Sequence, residues 1–155
     1  MRMLRQFIIL LVLAAALRAT AEDLIVVMGA DSATDSLTAA ELTKVFRGEK
    51  TKTADGKKFA VIMREAGSAE RTAALERIYG MTEQEYKTYF LQATFTGSVA
   101  AAPKTQAGAD ALKVYLSKTP GAIGYMLAKD VDASVKVIKI DGKAPGEADY
   151  KLKGK

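Results

Sequence analysis

Short apolar runs along the chain are separated by segments with helical periodicity. Leu24 to Met28, Phe59 to Met63 and Ala122 to Met126 are short runs of apolar or small residues, the first of them bounded by Gly29. Runs of this kind are typical of strands that are covered on both faces, as in a parallel sheet. Val135 to Ile140 alternates imperfectly between apolar residues and lysine, which predicts a fourth strand nearer the sheet edge.

Capping signals mark the helices between these strands. Thr38 to Glu41 and Thr82 to Glu85 both have the spacing of a capping box. Ser68 is a good N-cap for a helix over about Ala69 to Tyr79, and a further helix is predicted around Ala107 to Ser117. Strands that alternate with helices predict an α/β domain with a mainly parallel sheet flanked by helices.

The first 21 residues have the pattern of an export signal. Arg2 and Arg5 precede an unbroken apolar run from Phe7 to Leu17, and Ala19 to Ala21 supplies the small residues before a cleavage site. The run is shorter than the roughly 20 apolar residues that span a bilayer, so a cleaved signal peptide is favoured over a permanent anchor. A lipoprotein would need a cysteine, which the chain lacks. We therefore expect a secreted, periplasmic protein.

Removal of residues 1–21 changes the charge of the protein. This segment contains three arginines and no acid, so its loss lowers Lys plus Arg from 23 to 20 against 18 acids, and the formal net charge from +5 to +2. A net charge of +2 does not indicate a basic surface of the kind that binds nucleic acid. The remaining 134 residues have the size of one domain, which we place at 22–145, followed by a polar, frayed tail at 146–155.

Cysteine and histidine are both absent. Their absence removes zinc sites, Cys–His and Ser–His nucleophile pairs, and histidine acid–base chemistry. We therefore expect no enzyme, no cofactor and no metal site. An enzyme remains the third alternative, since a Ser–Lys pair using Ser68 cannot be placed from spacing alone.

The segment at the end of the second predicted strand offers a candidate anion site. Ligands of open α/β sheets gather where strands end, and the free N–H groups of a helix's first turn attract anions. A guanidinium, a hydroxyl and a flexible glycine accompany those groups, and together they suit a small tetrahedral anion such as phosphate. The candidate site residues are Arg64, Gly67, Ser68, Ala69, Glu70 and Arg71.

Simpler interpretations remain open for the candidate site at residues 64–71 and for the basic run at residues 44–58. Gly-Ser before a helix is also an ordinary cap, and Arg64 has Glu65 or Glu70 within reach as an ion-pair partner. The basic run from Lys44 to Lys58 holds six basic residues and two acids. Such a run is typical of a solvated connection, with contact to an anionic envelope surface as the alternative.

Four stretches resemble the periplasmic phosphate-binding proteins of ABC importers in order and rough spacing: Phe46 to Lys50, Asp55-Gly56, Arg64 to Ser68 and Thr119 to Tyr125. The family reads Phe/Tyr-x-Gly-Lys at the first of these stretches, Arg-x-Asp-Gly-Ser-Gly-Thr at the third and Pro-Gly-Ala-Ile-Gly-Tyr at the fourth. The last is identical over six residues here. The resemblance covers about Leu24 to Ala144 and matches only the later part of larger members. It implies one lobe of a type II periplasmic binding protein.

The resemblance also implies a function and its limits. It implies phosphate or a similar oxyanion as ligand, with Arg64 and Ser68 as ligating residues, and an ABC permease or another envelope protein as partner in ion transport. Ala66 stands where the family has an aspartate that accepts a proton from the bound phosphate. Full-length members are two-lobed clamps with phosphate between the lobes, so the resemblance to one lobe implies that a homodimer or another protein would have to close the site. The alternative is an interaction module that kept the fold and lost the ligand.

Overall fold

The computed structural model describes residues 23–154, and the export signal predicted over 1–21 lies outside them. The strands are β1 (Leu24–Gly29), β2 (Ser36–Leu37), β3 (Ala60–Arg64), β4 (Lys104–Gln106), β5 (Ala122–Leu127), β6 (Val135–Val137) and β7 (Lys139–Ile140). The α-helices are α1 (Ala39–Phe46), α2 (Ala69–Ala74), α3 (Glu83–Phe95) and α4 (Ala109–Lys118). Helix α2 continues into a π-helical segment at Leu75–Tyr79, and a 3₁₀ turn follows β5 at Ala128–Asp130.

Five of the strands form a central sheet in the order β4-β3-β5-β1-β6. Strand β3 is parallel to both β4 and β5, whereas β1 is antiparallel to both β5 and β6. Four strands therefore run in one direction and β1 runs in the other. This confirms the predicted α/β class with a mainly parallel sheet. It corrects one detail, because the apolar run that forms β1 is antiparallel to its neighbours.

Helices cover both faces of the sheet. On one face α1, α2 and α3 enclose the larger core, which contains a cluster of edge-to-face aromatic rings around Tyr79. On the other face α4 packs on β1, β5 and β6 through Leu112 and Leu116. Both predicted capping boxes are present, at Thr38 and Thr82. Within residues 23–154 no helix has the length and apolar character needed to span a bilayer.

The C-terminal end of the chain differs from the prediction. The single strand predicted over Val135 to Ile140 is divided at Ile138 into β6, on the edge of the central sheet, and β7, which pairs with β2. The predicted frayed tail instead packs on the domain up to residue 154. Tyr150 and Leu152 are buried, and the Tyr150 hydroxyl donates to the Leu24 carbonyl at 2.7 Å. Two isolated apolar residues in a polar segment gave no periodic signal for this contact.

Candidate anion site

The candidate site is the turn from β3 into α2, residues 64–71, which we call the corner. Residues Ala66, Gly67 and Ala69 are exposed there, while the Arg64 side chain is buried. Gly67 has φ +85°, a left-handed conformation that favours glycine, and an added Cβ would meet nothing within 4 Å. The corner is therefore an exposed turn whose first residue, Arg64, has a buried side chain.

Ser68 begins the helix. Its hydroxyl accepts from the Arg71 N–H at 3.2 Å and donates to the Glu65 carbonyl at 2.8 Å. This is the N-cap geometry that satisfies one free donor of the first turn. No hydrogen bond within residues 23–154 uses the N–H groups of Ala69 and Glu70. These two amides remain as donors at the positive end of the helix dipole.

Arg64 is the last residue of β3. Its backbone N–H donates to the Tyr125 hydroxyl at 2.9 Å, which ties the corner to β5. Its Nε donates to Glu65 Oε2 at 3.2 Å. Its Nη1 is buried and has no hydrogen-bond partner among residues 23–154. A buried guanidinium nitrogen without an acceptor carries an uncompensated desolvation cost, so this group favours an acceptor that the described chain does not provide.

Glu65 joins the corner to a second helix. Its Oε2 accepts from Arg64 Nε and, at 3.4 Å, from the Gly108 N–H that precedes α4. Hydrogen bonds from its own amide, from Arg64 and from Gly108 hold the pKa of the Glu65 carboxyl below its ordinary value. Strands β3 and β4 are parallel, with Arg64 opposite Gln106, so α2 and α4 both begin at this edge of the sheet. An anion here faces two helix N-termini.

Arg71 is placed differently from the other candidate residues. Its guanidinium makes two hydrogen bonds to Glu83, at 2.8 and 3.0 Å, and donates through Nη1 to the Arg64 carbonyl at 3.0 Å. The guanidinium also lies over the Tyr86 ring, 5.0 Å from its centroid. Hydrogen bonds to Glu83 raise the pKa of Arg71. The structure therefore does not bring the Arg71 side chain into the anion site, but uses it to hold the corner's backbone.

The corner thus brings together Arg64, the Ser68 hydroxyl and the amides of Ala69 and Glu70. No local pattern indicated the roles of Gly108 and Tyr125, because both contacts come from distant parts of the chain. Chemically, this arrangement offers hydrogen-bond donors and one cation to a small anion. Within residues 23–154 no cluster of acids is suited to hold a metal ion.

The fold of this chain also occurs in proteins of known structure. No protein-family model matches the chain, and no curated protein matches it. Solved structures do match. A phosphate ABC transporter substrate-binding protein with bound phosphate from Clostridium perfringens aligns with TM-score 0.66 and 21% identity, over 82% of this chain and 48% of that one.

Two further structures show the same similarity. An ABC-type phosphate transport receptor from Vibrio cholerae aligns with TM-score 0.66 and 22% identity, over 82% of this chain and 49% of its own. PstS from Borrelia burgdorferi aligns with TM-score 0.65 and 15% identity, over 86% of this chain and 55% of its own. The chain thus has the fold of about half of such a protein.

Proposed function

We propose that the chain is an exported, non-enzymatic solute-binding protein for phosphate or a similar small oxyanion, bound at the corner. The observation that carries the proposal is the buried Arg64 Nη1, which has no acceptor within residues 23–154. It lies in the same turn as the amides of Ala69 and Glu70, which have no acceptor within residues 23–154, and as the Ser68 hydroxyl, which would have to release the Glu65 carbonyl to donate to an anion. The fold shared with phosphate-binding proteins supports the same ligand class.

Glu65 is the internal competitor for this site. Its carboxylate takes the Arg64 Nε and the Gly108 N–H, which are two of the donors that an oxyanion would use. The Glu65 side chain is 42% exposed, so its ion pair with Arg64 is partly screened by water. An oxyanion with more acceptor atoms displaces it at modest cost. We therefore infer that Glu65 lowers the affinity for external anions.

The open geometry sets the expected affinity. An exposed hydrogen bond contributes about 0.5–1.5 kcal/mol net, and one to a charged group about 1.5–3 kcal/mol. A few such bonds, less the cost of association, correspond to a dissociation constant on the order of 1 mM. The chain spans about half the length of the matched structures, so we propose that a second surface closes the site: an ABC permease, another envelope protein or a second copy of the chain.

Arg64→Met and Glu65→Gln are expected to change phosphate binding in opposite directions. Arg64→Met removes the central donor and should abolish the heat of phosphate binding in calorimetry up to about 10 mM, which is tenfold above the expected constant. Glu65→Gln removes the competing charge and should tighten binding severalfold. Sulfate, titrated in parallel, shows whether the site discriminates between oxyanions.

Thermal unfolding separates this prediction from a simple folding defect. Arg64→Met replaces a buried, partly unsatisfied cation by an apolar side chain of similar length, and the Glu65 carboxylate that it leaves unpaired is 42% exposed and stays hydrated, so the melting temperature without phosphate should stay close to that of the parent chain. Only the parent chain and Glu65→Gln should gain stability when phosphate is added. Equal binding by all three chains would contradict the proposal.

A ligand-free interaction module of the cell envelope is the second candidate. Ala66 at the family's aspartate position and Glu65 in the anion site favour it. If this is the function, a pull-down from an envelope fraction should yield a stable protein partner. The amount of that partner retained should not change when phosphate is added. Loss of that partner in Arg64→Met or in phosphate would instead favour anion-dependent binding.

A further inference from the structure

A groove of about 550 Å³ lies between the end of α1, the beginning of β3 and the loop 98–103. None of the corner residues lines it. Clefts of about 300–1,000 Å³ with mainly apolar walls are the usual form of a small-molecule site. The apolar walls include Phe59, Val61, Val99, Pro103 and Tyr115.

The charged residues of the groove all have the same sign. Three lysines line it, Lys50, Lys58 and Lys104, and no aspartate or glutamate does. Lys50 makes a half-exposed ion pair with Glu41 outside the groove, at 3.2 Å. Lys58 has no carboxylate partner within residues 23–154. The groove thus combines an apolar interior with positive charge.

We propose that this groove binds a monomeric organic anion with an apolar body, of the class of medium-chain carboxylates. The hydrocarbon part would lie along Phe59, Val61 and Val99, and the carboxylate would face Lys58 and Lys104. Both halves of such a ligand are complementary to the surface they meet, since apolar surface is removed from water and the charge is paired. The site is separate from the corner, so it does not depend on phosphate binding.

Other occupants fit the groove less well. The chain's own apolar segment at residues 1–21 has three arginines and no acid, so its charge repels the lysines. A second copy could offer Leu91 and Phe95, which are 73% and 90% exposed, but residues 88–95 contain no acid to pair with the lysines. A flat anionic bilayer would meet the lysines without filling the groove.

Calorimetry with decanoate tests the proposal on protein expressed from the full chain. Decanoate should bind at least tenfold more tightly than decyltrimethylammonium, which has the same apolar chain and the opposite charge. The double variant Lys58→Glu/Lys104→Glu should lower decanoate affinity at least tenfold. The exposed Lys151→Glu, which lies outside the groove, should change it less than twofold. Arg64→Met should bind decanoate normally, which keeps this test independent of the phosphate proposal.

A second variant tests the apolar half of the site. Ala101→Trp places a large ring in the exposed loop that lines the groove and should weaken decanoate binding without lowering the melting temperature. Equal affinity for decanoate and decyltrimethylammonium would overturn the proposal. So would binding to vesicles of anionic lipid without any binding of decanoate, because that result would assign the lysines to a membrane surface.

Discussion

Gly121→Ala is expected to lower the free energy of unfolding by at least about 3 kcal/mol, or to prevent folding. Gly121 has φ +85°, a conformation that costs an alanine roughly 1–2 kcal/mol. In addition, the new Cβ would lie 2.2 Å from the Lys58 carbonyl oxygen, which is backbone and cannot rotate away. Because Gly121 immediately precedes β5, the clash would separate β5 from the beginning of β3.

Gly56→Ala is the matched control for this substitution. Gly56 has φ +83°, nearly the same as Gly121, but an added Cβ there would meet nothing within 4 Å. Gly56→Ala should therefore lower the free energy of unfolding only by the cost of placing an alanine in this left-handed conformation, about 1–2 kcal/mol. Urea unfolding of both variants measures the difference. A Gly121→Ala variant no less stable than Gly56→Ala would show that the close approach to Lys58 does not exist.

Arg71→Met is expected to cost about 3 kcal/mol. The substitution leaves the Arg64 carbonyl without its donor and Glu83 without its ion-pair partner, and it removes the contact with Tyr86. Breaking a buried pair by removing one partner costs about 3–5 kcal/mol. The expected value is at the lower end because the Glu83 side chain is 35% exposed. Urea unfolding at neutral pH measures the loss.

The pH dependence of this loss identifies its cause. Hydrogen bonds from Arg71 hold the pKa of Glu83 below its ordinary value. This contribution to stability is present above the unfolded pKa of about 4.3 and is lost as the pH falls through the folded pKa. The difference between the parent chain and Arg71→Met should therefore shrink below about pH 4. A difference that stays constant with pH would indicate packing alone.

Lys113→Met provides the comparison for Arg71→Met. Lys113 makes an ion pair with Asp132, whose side chain is 55% exposed, and exposed pairs contribute about 0–1 kcal/mol. A loss in Lys113→Met as large as in Arg71→Met would contradict the structural role assigned to Arg71.

The larger elements of the fold could be predicted from the sequence because their signals are local. The capping boxes at Thr38 and Thr82 and the apolar runs of β3 and β5 each lie within a few residues of the element they mark. Strands β2, β4 and β7 have two or three residues each and carry no such signal. They form only because longer neighbours supply the hydrogen-bonding partner.

The candidate site could be predicted only in part, for the same reason. Ser68 as an N-cap follows from local sequence, and the structure confirms it. The roles of Gly108 and Tyr125 depend on the pairing of β3 with β4 and β5, which joins residues 43 and 61 positions apart. The Arg71 side chain is likewise held away from the site by its hydrogen bond to Glu83 in α3. No local pattern in the sequence indicated that pairing.

Amide chemical shifts during a phosphate titration test the central claim most directly. If the corner binds the anion, the N–H resonances of Ala69, Glu70 and Gly108 should move together, with one dissociation constant that matches calorimetry. The Nε–H resonance of Arg64 should shift with them as Glu65 is displaced. The claim is contradicted if these resonances stay fixed at saturating phosphate while those of Lys57 and Lys58 move, because the anion would then be held by the basic run.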